Sequence, residues 1–137
     1  MKNVILLLAL MSFIQLTFAK EVGNTAYIGK WRIAPEWAGW FAPECREMEM
    51  QFTENGTLIR TTGKLVYESK VELINEGFRV KLNEKLLSHN SENTCAGKNA
   101  EKIIQHLYHS AYFTVSGDRL FYYRNKNKES LIVFSRI

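Results

Sequence analysis

Three histidines, one aspartate and two cysteines are what this 137-residue chain offers for metal, hydrolytic or redox chemistry. His106 and His109 stand three apart, so a helix would put both imidazoles on one face, where His89 or a carboxylate could complete a metal site. A strand would turn them to opposite faces. No Asp stands nearby and there is no His-Glu-x-x-His pattern, so the ligand count argues against a metal. Met48 and Met50 beside Cys45 are soft donors of the kind that hold cuprous copper. Strand alternation accounts for the same methionines, and a disulfide would remove the thiolate. A Ser-His-Asp triad would need Asp118, which lies in a Gly-containing turn, or a glutamate as orienter. Glu47 and Glu49 share a strand face and could pair as acid and base, yet that face lies opposite the apolar one and reads as solvated. Asn55-Gly56-Thr57 has the form of a glycosylation acceptor, which a hairpin turn explains without a glycan. No catalytic residue, metal or cofactor is assigned, and the balance is against an enzyme.

Binding is the better-supported chemistry. The segment 34–43 carries Trp37, Trp40 and Phe41, is restricted by Pro35 and Pro43, and has Gly39 as a hinge. Across the mouth of a barrel these aromatics would make an apolar lid over a ligand. Packed inward, they would instead plug one end as core. The residues expected to line any cavity are Met48, Met50 and Phe52 with Tyr67, Val71, Phe78, Val80 and Phe113. Flexible thioethers suit variable hydrophobic ligands and an ordinary core alike.

The elements that must position these residues begin after a leader. Lys2, an apolar run from Val4 to Ile14, and Thr17-Phe18-Ala19 have the layout of a secretory signal peptide at 1–19, cut after Ala19. The run is interrupted by Ser12 and Gln15 and is shorter than the roughly 20 residues of a membrane span. The expected product is one domain at 20–137, periplasmic or secreted, with no stable membrane span. In that oxidising setting Cys45 and Cys95 should pair. Closing a loop of about 50 residues restricts the unfolded chain by about 4 kcal/mol in the entropy model. The 18 basic and 14 acidic residues leave a charge too mild for a nucleic-acid partner. The cluster Arg124, Lys126 and Lys128 reads as a solvated turn.

Short alternating runs separated by turn residues predict strands at 29–33, 46–52, 57–62, 64–74, 78–87, 110–115, 119–123 and 130–136. Asn55-Gly56 supplies a tight hairpin. Asn99 can cap a short helix in which Ala100, Ile103, Ile104, Leu107 and Ala111 recur at helical spacing, although the same residues could form a strand. Sequential hairpins of this number close most economically into an all-β, up-and-down antiparallel barrel of about eight strands, closed or nearly closed. The helix is then an insertion before the last three strands.

Gly29-Lys30-Trp31 resembles the Gly-x-Trp motif on the first strand of lipocalins, and Arg136 matches the basic residue that packs across that Trp. The segments 52–57 and 113–120 are similar to hairpins of short bacterial lipocalin-like domains. The Thr-Asp-Tyr motif of longer lipocalins is absent and no helix follows the last strand, so the resemblance is to the wider lipocalin-like (calycin-type) group. It implies a structural Trp31–Arg136 cation–π contact at the seam of the barrel. The expected function is binding of a small hydrophobic molecule through Trp37, Trp40, Phe41, Met48, Met50, Tyr67 and Phe113. The alternative is a filled barrel acting through its surface on another envelope or extracellular protein, as an inhibitor, adaptor or complex subunit.

Overall fold

The structure, a computed structural model, describes residues 25–107, 110–124 and 130–137. The leader, His109 and most of the basic turn lie outside the described residues. Eight strands form: β1 (Gly29–Ile33), β2 (Glu49–Phe52), β3 (Thr57–Thr62), β4 (Leu65–Asn75), β5 (Val80–His89), β6 (Ala111–Ser116), β7 (Arg119–Tyr123) and β8 (Ile132–Arg136). Each pairs antiparallel with its neighbour in sequence, and β8 pairs with β1, so the sheet is a closed barrel. The connections β1–β2, β3–β4, β5–β6 and β7–β8 therefore gather at one end. The remaining hairpins and residues 25–28 gather at the other.

Period-two alternation decides which side chains point inward. Along β4, Leu65, Tyr67 and Ser69 are buried while Val66, Lys70 and Glu72 are exposed. Trp31, Met50, Phe52, Leu58, Leu82, Phe113 and Leu120 supply the matching inward positions of their strands. Burying a large apolar side chain contributes on the order of 1.5–3 kcal/mol. Phe52 and Phe113 meet with ring centroids 5.4 Å apart, and Tyr27 packs on both at 5.3 and 5.9 Å. This aromatic triad fills the barrel near its Tyr27 end.

The inserted helix, here α2 (Ala100–Leu107), stands where expected, but Ala111 belongs to β6. A four-residue helix, α1 (Pro35–Ala38), was not anticipated; Pro35 occupies its first turn, where a missing N–H costs nothing. Strand β2 starts at Glu49 rather than 46, because Pro43–Cys45 winds into a 3₁₀ turn that leads the chain to the disulfide. Phe78 is not an inward residue. The Asn75 side-chain oxygen accepts from the Gly77 N–H, Gly77 takes φ +91°, and Phe78 is left in the turn with 71% of its surface exposed. Strand β5 pairs with β6 only through Val80, Lys81 and Leu82, so its second half runs on beside β4 and against α2.

At the seam, Trp31 lies opposite Arg136, and the guanidinium stands 4.2 Å over the indole. Arg136 also donates to the carbonyls of Ile28 at 2.8 Å and Ala26 at 2.5 Å, while the indole N–H donates to the Tyr27 carbonyl at 2.8 Å. Gly29 makes room for this arrangement. It holds φ +131°, and a Cβ there would stand 2.8 Å from Arg136 Nη1. Gly29→Ala is therefore expected to cost about 1–3 kcal/mol in urea unfolding at unchanged slope. A loss below about 0.5 kcal/mol, the range of neutral surface changes, would show that neither the backbone nor the guanidinium is constrained.

Candidate functional site

The end that carries the β1–β2 and β5–β6 connections is held by the Cys45–Cys95 disulfide, with Cα atoms 5.1 Å apart. Gly63, at the β3–β4 turn, lets the Cys95 backbone come close: a Cβ there would lie 3.0 Å from the Cys95 Cα. The Thr62 hydroxyl meets Cys95 Sγ at 3.0 Å and accepts from its N–H at 3.3 Å. Two loops and a hairpin are thus fastened around one opening.

Inside that opening is a cavity of about 310 Å³. Phe41, Met48, Met50, Ile132 and Phe134 give it apolar walls, and Cys45 and Cys95 form part of its rim. Arg60 also lines it, and this is the unusual feature. Its side chain is 10% exposed and ion-pairs through Nη2 with Glu84 Oε1, whose side chain is 5% exposed. The same Nη2 donates to the Tyr122 hydroxyl at 3.1 Å, and the guanidinium lies 5.1 Å from that ring's centre. Strands β3, β5 and β7 contribute one residue each, so the cluster crosses the interior between strands that are not neighbours.

Burial opposes charge on Arg60, but Tyr122, Glu84 and Tyr67 outweigh it and hold the guanidinium well above its usual range. It stays cationic. Burial pushes the Tyr67 phenol up, with Arg60 partly offsetting the rise. Among the described residues, Arg60 Nε, Glu84 Oε2 and Ser69 Oγ are buried with no hydrogen-bond partner. Each such group is costly to leave unpaired in a dry interior.

Of the residues the sequence singled out for binding, Phe41, Met48, Met50 and Tyr67 line this cavity. Trp37 is half-buried against the core, as is Phe41. Trp40 is 86% exposed and neither covers the cavity nor plugs the barrel. Phe113 belongs to the opposite end. There a second cavity of about 360 Å³ is bordered by Tyr27, Leu73, Phe78, Arg79 and Phe113. Arg79 is already committed: Nε donates to Glu76 at 2.8 Å, and its guanidinium lies 4.2 Å over Tyr112. Of the three residues with orphaned atoms named above, Arg60 lines the disulfide-bound cavity and none borders this one, so the Arg60 cavity is the better candidate. Arg60, Glu84 and Tyr122 were missed from sequence, although each falls on the inward side of its strand's alternation. Among the described residues no His, Cys, Asp and Glu cluster could hold a metal, and no helix is long and apolar enough to cross a membrane.

No protein-family model matches the chain, and no curated protein matches it in sequence. One solved structure does match in fold: a DUF4847 family protein from Bacteroides vulgatus ATCC 8482, with a TM-score of 0.52 and 14% identity. The match covers 83% of this chain and 96% of that one. At that identity the likeness concerns the barrel architecture alone.

Two measurements probe the site's electrostatics. Arg60→Met leaves Glu84 buried without its partner and should cost about 3–5 kcal/mol, whereas Arg60→Met with Glu84→Met should recover most of that. A cost under about 1 kcal/mol for the single change would mean the pair is solvated. Tyr67 titrates higher in the folded chain than the ordinary phenol value near 10. Its contribution is intact below about pH 10 and is lost as pH rises toward the folded value, because the unfolded chain releases the proton first. Tyr67→Phe should flatten the alkaline decline in stability, and identical slopes would contradict a buried phenol.

Proposed function

We propose that this protein is an extracytoplasmic binding protein for a small amphiphilic molecule, held at the disulfide-bound end of the barrel. The observation that carries this reading is the apolar cavity with a buried, partly unpaired guanidinium in its wall. A filled core has no use for such a group, whereas ligand sites typically combine apolar walls with a few fixed polar atoms. A volume of about 310 Å³ suits a small ligand rather than a long lipid. The disulfide and the signal-peptide layout at 1–19 support a periplasmic or secreted location. The inner Trp31–Arg136 contact supports kinship with lipocalin-like barrels.

A second reading rests on Trp40. An indole 86% exposed beside a half-buried Trp37 and Phe41 is the type of residue that anchors protein interfaces. On that reading the barrel acts through its surface on another protein.

Native mass spectrometry of the protein from its own compartment, followed by denaturation and extraction, separates the two. Binding predicts a reproducible adduct of small-molecule mass, absent from the folded Arg60→Met, Glu84→Met variant. A bare mass at the disulfide-bonded value, with no uptake of apolar probes, would overturn the binding reading and leave the one anchored on Trp40.

A further inference from the structure

We infer that the cavity selects a ligand whose polar group is uncharged and both donates and accepts a hydrogen bond, such as a hydroxyl or a primary amide. The inference rests on the binding reading above and specifies the chemistry of its ligand. Arg60 and Glu84 already neutralise one another, and both are almost wholly buried. A third charge brought against that pair would be uncompensated, and uncompensated buried charge costs several kcal/mol.

The unpaired atoms define what is wanted instead. Arg60 Nε is a donor without an acceptor, and Glu84 Oε2 is an acceptor without a donor. A carboxylate only accepts and an ammonium only donates, so either would leave one of the two unmatched. A hydroxyl or primary amide answers both. Such a group also reproduces the donor–acceptor pair of a water molecule, so it displaces water with the least loss. Arg60 borders the cavity, and Glu84, which is not part of its lining, is held to Arg60 Nη2. The last torsion of a glutamate side chain is soft, so the carboxylate can turn to meet a group that reaches past Arg60. The apolar tail then lies along Met48, Met50, Ile132 and Phe134.

The test is calorimetric titration of the disulfide-bonded protein at neutral pH with four matched eight-carbon probes: octan-1-ol, octanamide, octanoate and octylamine. The alcohol and the amide should bind about tenfold or more tightly than the two ions, the factor expected from one buried unmatched polar group. If octanoate binds tightest, Arg60 is an anion anchor and this inference is overturned while the cavity remains a binding site. Equal binding of all four shows that the polar group is not read, which has the same consequence. Failure of all four to bind overturns the binding reading itself. In Glu84→Gln the guanidinium loses its counter-charge, so preference should swing by about tenfold toward octanoate. An unchanged ranking in a variant that folds normally would overturn the role given to Glu84. If the variant does not fold, the ranking in the wild-type protein decides alone.

Discussion

The barrel exists because β1 and β8 meet, and they meet over Trp31. An indole at that position buries a large apolar surface and presents its face to Arg136, whose fork in turn ties down the carbonyls of Ile28 and Ala26. A lysine could supply the charge but not the planar stack with two simultaneous backbone contacts. Gly29 is the third partner, since only a residue without a side chain leaves the guanidinium its place. Without this seam the first and last strands would both be open edges, and the cavity that β2, β3, β4, β7 and β8 line would have no enclosing wall.

Closure at one end shapes what is possible at the other. Tyr27, Phe52 and Phe113 pack together at the end where the chain enters, beside the second cavity, while the Arg60 cavity opens among the loops joined by Cys45 and Cys95. The polar cluster marks the boundary between these halves. Arg60 and Tyr122 stand where apolar packing gives way to cavity, and Glu84 comes from the stretch of β5 that β6 no longer covers. A buried ion pair is weak evidence for stability, because apolar residues of similar volume would often serve as well. Under the proposed binding function, the pair serves through what it offers to a molecule in the cavity.

Much of the fold was legible because the two-residue period of a strand is written directly in the order of side chains. In β4 the buried set Leu65, Tyr67 and Ser69 is the set that alternation places on one face. The Cys45–Cys95 bond followed from compartment and count. Phe78 was misplaced because the period extends smoothly through it from Val80. The turn made by Asn75 and Gly77 interrupts it, and such turns compete with strand extension over one or two residues. Trp40 illustrates a different limit, since an aromatic in a loop carries no period to say which way it faces. Arg60 and Glu84 were half visible: alternation gives the face of each, but not that residues 24 apart on non-adjacent strands meet across the interior. That pairing depends on barrel closure, which no local pattern encodes.

The disulfide has a practical meaning beyond its effect on the unfolded chain. Its two sulfurs belong to the rim of the cavity rather than to a distant staple, and Gly63 and Thr62 are fitted around Cys95. The redox state of the surroundings is therefore part of the shape of the site. A chain made and kept in a reducing cytosol would present an opening whose loops are untied. Preparations that differ only in oxidation would then be different reagents, and an affinity measured on one would not describe the other.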